Sequence, residues 1–333
     1  MRMSQRVLVL GGNRYIGMRL LFELAARGDE VTVLNSHLAE MPDGTRRLHG
    51  DRQQPGVLAE VLGDHRDDFD VVFDNTAYRP SDLEPLVELF RGRIQHFVFT
   101  SSVAVYRRNF VQPVREDARR HDASDDDARK AYGVGKVRCE EYLRRLFEDE
   151  GFPATSMRVT HTIGPRTPLA SREPIFFERL LQGRPIFVPG DGFPFVHLVH
   201  IDDVARCIAS VAGNDRAVGE AFNVSGDEVT SVLGCIRLMA RAAGVEPDVV
   251  RVPLDIARRA RTPLVHWGEA FVGGAIFAND KAKQNLSWRP QLGLEAAYRD
   301  SFDWWNTEGR DRYEYDFSGD DELVRWRQHL GGA

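Results

Sequence analysis

The fold of this 333-residue chain is decided by the stretch Arg6-Val7-Leu8-Val9-Leu10-Gly11-Gly12-Asn13-Arg14-Tyr15-Ile16-Gly17. Its apolar beginning predicts a buried strand, and the glycines after it predict a tight turn. Residues 18–27 then have helical periodicity, and residues 30–34 predict a second strand. A strand, a glycine turn, a helix and a strand within about thirty residues form the unit that binds the phosphates of a dinucleotide.

Within this unit, the residues predicted to bind the cofactor are Gly11, Asn13, Arg14, Tyr15, Ile16 and Gly17. Arg14 stands where the pattern usually has its middle glycine, and it adds a cation near the pyrophosphate or the adenosine ribose. The second strand ends in Asn35 without the acid that would bind a ribose 2′-hydroxyl and repel a 2′-phosphate. An asparagine can bond the ribose diol, whereas Arg14 and the missing carboxylate both tolerate the extra phosphate. The choice between NAD and NADP therefore stays open.

Further apolar runs alternate with helical segments along the chain, and they predict strands at 70–74, 97–102, 155–160 and 221–224. This alternation predicts an α/β fold, a Rossmann-type doubly wound parallel sheet with a smaller, mostly helical substrate-binding lobe. Function in such sheets gathers at the carboxyl ends of the strands. The residues predicted there to contact the cofactor are Asn35, Asp51, Arg52, Asn75 and Ala77.

Changes in composition divide the chain. Residues 1–164 are predicted to form the dinucleotide-binding domain, with residues 197–230 returning to it. Several prolines follow residue 164, so residues 165–196, together with 231–305, are predicted to build the substrate-binding lobe. Residues 306–333 are predicted to be a C-terminal tail.

A second informative stretch is Tyr132-Gly133-Val134-Gly135-Lys136. A tyrosine and a lysine four apart share one face of a helix, where the ammonium can favour the ionised phenol. The chain has only four lysines among 44 basic residues, so a lysine at this spacing indicates that a compact, titratable charge is wanted. Ser102, at the end of a predicted strand, is either a cap or a third member of the site.

Bulk properties exclude several classes of function. The net charge of −6 and the pI near 6.0 give no basic footprint, so nucleic acid and an anionic membrane surface are disfavoured as partners. Three scattered cysteines are most simply reduced thiols, and with no signal-peptide pattern or membrane-length apolar run the expectation is a cytoplasmic protein. His197 and His200 lie three apart on a predicted strand without supporting ligands, so no metal site is predicted.

With these residues in place, the chain resembles the extended short-chain dehydrogenase/reductase family, in particular its NAD-dependent epimerase/dehydratase branch. The resemblance covers nearly the whole chain, and the Arg14 form of the loop is most similar to a subgroup of bacterial epimerase-like proteins and chloroplast RNA-binding proteins. The motifs that carry it, in the family's order, are residues 11–17, 50–51, 100–106, 132–136, 163–166, 189–192, 200–205 and 288–290.

The resemblance implies a role for each of three residues. Tyr132 would be the general acid/base that removes a substrate hydroxyl proton as hydride passes to the nicotinamide. Lys136 would hold the nicotinamide ribose and depress the pKa of the tyrosine. Ser102 would hydrogen-bond the same substrate oxygen. Family members also commonly pair through the helix that contains Tyr132, which implies a homodimer.

Departures from the family narrow the expected chemistry. Val103 and Ala104 occupy the place of the Asp-Glu pair of the related 4,6-dehydratases, so that elimination lacks its acid and base. Val196 stands where nucleotide-sugar enzymes usually have a diphosphate-binding arginine, and a second such arginine is not evident near Ile276. A sugar or polyol outside the usual nucleotide-diphosphate class is therefore expected, unless other cations hold a diphosphate. The residues predicted to contact the substrate are Tyr78, Val103, His161 and Arg166.

Three functions follow from this pattern. The first is an NAD(P)-dependent epimerase that oxidises a secondary hydroxyl of a sugar-like substrate and returns hydride to the opposite face. The second is a ketoreductase or dehydrogenase that uses the same three residues. The third is an RNA-binding or non-catalytic protein on a retained fold, which the acidic pI and the intact Ser102, Tyr132 and Lys136 disfavour.

Overall fold

The protein is described from a computed structural model, which covers residues 4–12, 14–37, 40–107, 111–260, 262–264 and 274–331. By their internal contacts these residues form two compact units. The first consists of Met1–Thr162, Ile201–Ser225 and Phe277–Gln291, and the second of Ile163–His200, Gly226–Ile276 and Leu292–Ala333.

A seven-stranded parallel sheet forms the centre of the first unit, in the order β10-β6-β5-β4-β1-β2-β3. Its strands are β1 (Arg6–Leu10), β2 (Glu30–Asn35), β3 (Arg46–His49), β4 (Val71–Asp74), β5 (His96–Ser102), β6 (Ala154–Val159) and β10 (Ala221–Val224). The strand order reverses direction between β1 and β4, which is where a doubly wound sheet binds its ligand. The predicted Rossmann-type fold is confirmed.

Helices cover both faces of this sheet, and its central strands are therefore buried on both sides. The helices of the unit are α1 (Tyr15–Ala26), α2 (Val57–Leu62), α3 (Pro80–Phe90), α4 (Ala131–Glu150), α6 (Ile201–Val211) and α9 (Asp280–Asn285). Helices α2, α3 and α4 share an apolar core with the strands of one face, and α1 packs with α6 on the other. Helix α1 begins at Tyr15, three residues before the predicted segment, since the glycine turn leads directly into it.

The second unit is smaller and mixes helices with short strands. Its strands are β8 (Ile186–Pro189), β9 (Phe195–His200), β11 (Val229–Ser231) and β12 (Val249–Val252), and β7 (His161–Ile163) lies where the first unit ends. Its helices are α5 (Glu173–Leu181), α7 (Val232–Ala243), α8 (Leu254–Ala257), α10 (Leu294–Trp304) and α11 (Asp320–Gly331). Helices α5, α7 and α10 pack around one apolar core that includes Trp305 and Phe177.

Several segments group differently from the predicted boundaries. Residues 197–200 and 226–230, expected in the dinucleotide-binding domain, belong to the second unit. Residues 277–291, expected in the lobe, belong to the first unit, where the Trp288 indole donates to the Asp203 carbonyl at 3.0 Å. The C-terminal residues belong to the second unit because Asp320 forms a buried ion pair with Arg179 at 2.6 Å.

None of the described helices combines the length and the apolar character that a membrane span requires.

Candidate active site

The glycine turn between β1 and α1 is packed so closely that side chains are excluded from it. A Cβ on Gly17 would lie 1.8 Å from the Gly11 carbonyl oxygen, and one on Gly11 would lie 2.2 Å from Thr76 Cγ2. Gly11 has a φ of +83°, and Tyr15, a buried non-glycine residue, has a φ of +46°. Arg14 is the exposed N-cap of α1, and Ile16 follows in its first turn. Asn13 lies outside the described residues.

Asn35 and Asn75, two residues predicted to bind the cofactor, lie at the ends of β2 and β4. Each has a buried amide group that could donate a hydrogen bond to a ligand. The Asn35 oxygen accepts from Arg47 Nε at 2.8 Å, and the Asn75 oxygen accepts from the Thr100 hydroxyl at 2.6 Å. The Nδ2 atom of each asparagine is buried and has no hydrogen-bond partner among the described residues. Unsatisfied buried amide groups are costly, so their retention at these strand ends indicates a ligand.

The Arg52 side chain is bound by other residues of the protein and is not an exposed cation. Its Nη1 atom donates to Asp74 Oδ1 at 2.6 Å and to the Thr76 hydroxyl at 2.7 Å, and both ionic side chains are buried. Asp74 also accepts from the backbone amides of Thr76 and Ala77. This ion pair shapes the loop that packs against Gly11. Asp51 accepts from the Gln53 amide at 3.0 Å in a local turn, and its contact with the cofactor remains a prediction.

Ser102 and Tyr132 come together at the carboxyl end of β5. Ser102 is the last residue of β5, and Tyr132 lies in the first turn of α4, where it is 51% exposed. Desolvation raises the pKa of the Tyr132 phenol, while a hydrogen bond with the Ser102 hydroxyl lowers it. The two hydroxyl groups predicted to share a substrate oxygen are therefore adjacent.

Lys136 lies one turn further along α4 and is 3% exposed. Its Nζ atom donates to the Ala77 carbonyl at 2.7 Å and to the Thr100 carbonyl at 2.8 Å, and it lies 4.8 Å from the centre of the Tyr78 ring. Burial lowers the pKa of Lys136 to about 8. The spacing predicts that Lys136 lowers the pKa of Tyr132, but the net direction for Tyr132 is upward. In this arrangement the ammonium is held by carbonyl oxygens below the site.

Sequence reasoning missed a buried charged network beneath these residues. Glu140 accepts from the Ser101 hydroxyl at 2.6 Å and forms ion pairs with Arg158 at 2.8 Å and Arg120 at 2.9 Å. Arg158 also donates to the Tyr106 hydroxyl at 2.8 Å. The signal was present, since Glu140 follows Lys136 by one helical turn and Ser101 precedes Ser102, but only the fold brings Arg158 from β6 to them.

The residues predicted to contact the substrate do not all lie in one unit. Tyr78 is 56% exposed, with its ring centre 6.1 Å from that of Tyr132, and Val103 begins the short turn after Ser102. His161 begins β7, at the end of the first unit. Arg166 belongs to the second unit, where it has a φ of +66° and lies 3.8 Å from Glu308.

The described residues fit a nicotinamide dinucleotide. The turn at Gly11 and Gly17 leaves room only for backbone, and helix α1 begins there without an acidic residue in its first turn. The unpaired amides of Asn35 and Asn75 add donors along the same edge of the sheet.

His197 and His200 are engaged with the Gly226 carbonyl at 2.9 Å and with Asp300 at 3.0 Å, respectively.

Comparison with known proteins agrees with this arrangement. Residues 7–225 match the NAD dependent epimerase/dehydratase family. The chain is 29% identical over 341 residues to the Arabidopsis thaliana chloroplast stem-loop binding protein of 41 kDa b, covering 96% of this chain and 84% of that protein. It is 28% identical over 319 residues to a UDP-glucose 4-epimerase of Mycolicibacterium smegmatis, covering 87% and 95%.

Among solved structures, a UDP-glucose 4-epimerase from Thermotoga maritima, determined with UDP-glucose, superposes with a TM-score of 0.73 at 22% identity and covers 90% of this chain and 98% of that one. This likeness supports the same fold. The family match spans more than half of the chain. The chain therefore belongs to the NAD-dependent epimerase/dehydratase family and is an enzyme of the extended short-chain dehydrogenase/reductase type.

Proposed function

We propose that the enzyme is an epimerase that inverts a secondary hydroxyl of a sugar or sugar-like substrate through a transient ketone. The observation that carries the proposal is the adjacent pair of hydroxyl groups on Ser102 and Tyr132, with the buried ammonium of Lys136 one turn below. The relative from M. smegmatis is named a UDP-glucose 4-epimerase, which supports a sugar substrate. The first unit, which contains these three residues, would bind the dinucleotide.

In this proposal the Tyr132 oxygen takes the proton of the substrate hydroxyl and later returns it. The Ser102 hydroxyl bonds the same substrate oxygen and orients it towards the phenol. Lys136 places a positive charge one helical turn from the phenol, and its pKa of about 8 leaves it mostly protonated at neutral pH. A nicotinamide dinucleotide held at the turn of Gly11 and Gly17 would supply the acceptor and donor of hydride for this chemistry, so no net oxidation would result.

The substrate class is narrowed by Val196. It is 1% exposed on β9 and packs in the apolar core of the second unit, so it offers no contact to a diphosphate. UDP-sugars and unactivated sugars are both test substrates, and the absence of an arginine at this position favours a sugar outside the nucleotide-diphosphate class. The homodimer and the cytoplasmic location remain predictions.

The decisive variant is Tyr132→Phe. Removing the phenol oxygen is expected to lower the rate of inversion by about 10²- to 10⁴-fold while dinucleotide affinity stays within about threefold. Inversion is followed by NMR on a panel of UDP-sugars and free sugars, with bound dinucleotide measured by mass spectrometry. Tyr142→Phe, on the same helix, is the control and should retain full activity. Full activity of Tyr132→Phe would contradict the proposal.

The same experiment separates the alternatives. A stoichiometric change in absorbance at 340 nm with substrate would identify a net dehydrogenase, since an epimerase leaves the dinucleotide pool unchanged. The similarity to a stem-loop binding protein favours RNA binding as a second candidate. Salt-sensitive, nanomolar RNA binding without dinucleotide binding would establish that function instead.

A further inference from the structure

A cavity of about 260 Å³ lies in the first unit, between helix α4 and the strands β6 and β10. Alternate residues of β6, from Ala154 to Arg158, line one side of it. Ala154 and Ala221, which also lines the cavity, are the first residues of β6 and β10. The cavity therefore extends to the amino ends of these strands, whereas the glycine turn and Ser102 lie at carboxyl ends. None of the residues that line it is among those predicted to bind the cofactor or the substrate.

The wall of the cavity combines an apolar surface with one unpaired polar group. Leu143 and Phe147, one turn apart on α4, supply the apolar surface. Ser156 lines the cavity and is 8% exposed. Its backbone amide donates to the Glu220 carbonyl at 3.0 Å, but its hydroxyl has no hydrogen-bond partner among the described residues. A buried hydroxyl without a partner is destabilising, so its retention at a cavity indicates a polar ligand.

The three arginines that line the cavity are neutralised by carboxylates of the protein. Arg158 and Arg120 pair with Glu140 at 2.8 Å and 2.9 Å. Arg144 pairs with Glu148, one turn further along α4. The cavity therefore offers little free positive charge to an anionic ligand.

Two adjacent carboxylates at the cavity are not neutralised in this way. Glu116 accepts from the Asn223 amide at 2.9 Å, and Asp117 is exposed. Neither carboxylate pairs with a lysine or an arginine in the part of the chain that the structure describes. Glu220, a third carboxylate of the lining, pairs with Lys281 at 2.6 Å. The charge that remains unpaired at this cavity is therefore negative.

We propose that this cavity binds a small organic cation, an amine or a guanidinium on a short apolar stem. The cationic head would pair with Glu116 and Asp117, and the Ser156 hydroxyl would accept a hydrogen bond. The stem would pack on Leu143 and Phe147. The volume is below the roughly 300–1,000 Å³ of sites for drug-sized ligands, so it suits a ligand about as large as a basic side chain. A free amine and a lysine or arginine side chain of a partner protein share this chemistry.

The test measures binding of pentylamine, butylguanidine and pentanoate to the purified full chain by calorimetry. The two cations are expected to bind with a Kd below about 1 mM, and added salt should weaken their binding. Pentanoate has a similar stem and the opposite charge, so it should bind at least about tenfold more weakly. Binding of pentanoate as tight as that of pentylamine would overturn the inference. Absence of binding by either cation at about 10 mM would also overturn it.

Substitutions locate the site. Asp117→Asn changes an exposed side chain and is expected to lower the affinity for both cations by about two- to fivefold. The double variant Glu116→Gln/Asp117→Asn should lower it by at least about tenfold, and Ser156→Ala by about three- to tenfold. Asp126→Asn is the matched control, because Asp126 is an exposed acid outside the lining, and it should leave the affinity unchanged. Equal losses in Asp117→Asn and Asp126→Asn would contradict binding at this cavity.

A fourth ligand, N-acetylarginine amide, distinguishes the two sources of the cation. Tighter binding of butylguanidine would identify a free small molecule as the ligand, and tighter binding of N-acetylarginine amide would identify a basic side chain of a partner protein. Both outcomes support a cation site. These measurements require neither a dinucleotide nor a sugar, so their outcome is independent of the proposed function.

Discussion

Lys136 and Glu140 lie one turn apart on helix α4, and they are almost equally buried, at 3% and 4% exposure. Their surroundings are opposite. Glu140 is enclosed by two arginines and a serine hydroxyl, whereas Lys136 has carbonyl oxygens and aromatic rings as its nearest contacts. Burial by itself raises the pKa of Glu140, but its charged partners outweigh burial and hold the pKa below the ordinary value. Burial lowers the pKa of Lys136.

The difference separates a structural charge from a functional one. A carboxylate with two guanidinium partners is satisfied by the fold and has nothing left to offer a ligand. An ammonium without an anionic partner is expensive to bury, and its retention indicates that the site needs the charge. Four substitutions, two in this helix and two in the strand beside it, test that distinction in order of their expected effect on stability.

Glu140→Gln should cause the largest loss. It removes the anion between Arg158 and Arg120 and leaves a buried guanidinium uncompensated, so the free energy of unfolding should fall by about 3–5 kcal/mol. Urea unfolding at neutral pH measures the change. Glu141→Gln is the control, because Glu141 is partly exposed and lies 3.9 Å from Arg120, and it should cost less than about 1 kcal/mol. Equal effects of the two variants would contradict the assigned role of Glu140.

Lys136→Met tests the opposite case, a buried charge that destabilises the folded protein. The test measures how the free energy of unfolding depends on pH. The pKa of Lys136 falls from 10.5 to about 8 on folding, so between these values the unfolded chain binds more protons and stability rises with pH. Relative to Lys136→Met, the wild-type protein should gain about 3 kcal/mol between pH 7.5 and pH 10.5. Urea unfolding of both proteins across this range measures the gain.

Lys130→Met is the matched control for this titration. Hydrogen bonding to Asp125 raises the pKa of Lys130, so its stabilising effect is complete below the unfolded pKa and is lost only as pH rises through the folded pKa, above 10.5. Its difference from the wild-type protein should therefore stay flat where that of Lys136→Met changes. A flat profile for Lys136→Met as well would show that the ammonium is not destabilised by burial.

The sequence predicted the fold well because local patterns determined it. The strand, turn and helix at residues 6–26 and the run ending at Ser102 can each be identified within a short window. The arrangement of charges could not be predicted in this way. Arg52 is predicted as a ligand contact from its place after β3, but its buried ion pair with Asp74, the last residue of β4, could not be predicted from that place.

Long-range pairing also explains the residues that sequence reasoning missed. Glu140 and Arg158 meet only when β6 is placed beside β5, and Arg47 reaches Asn35 only when β3 pairs with β2 in a particular register. Arg46 lies 3.3 Å from the Asp68 carboxylate, whereas Arg47 donates to Asn35, because adjacent side chains of β3 point to opposite faces of the sheet. These faces can be assigned only after the pairing of the strands is known.

The smallest expected loss of stability comes from substitutions of two adjacent serines on β5. These substitutions extend the comparison of Glu140 with Lys136 to uncharged residues. Ser101 is 3% exposed and donates to Glu140 at 2.6 Å, whereas Ser102 accepts from the Ala104 amide at 3.2 Å and lowers the pKa of the nearby Tyr132 phenol. Ser101→Ala should lower the free energy of unfolding by about 1–2 kcal/mol, since it removes a hydrogen bond to a buried charge. Its rate of inversion should fall less than about tenfold.

Ser102→Ala should show the reverse pattern. Its loss of stability should stay below about 1 kcal/mol, while inversion should slow by about 10²- to 10³-fold because a donor to the developing charge is missing. Urea unfolding and the NMR inversion assay are run on both variants. If the two serines instead changed stability and rate in the same proportion, the division on β5 between a residue that supports α4 and one that contacts the substrate would be wrong. Strand alternation predicts that division, because neighbouring side chains point to opposite faces.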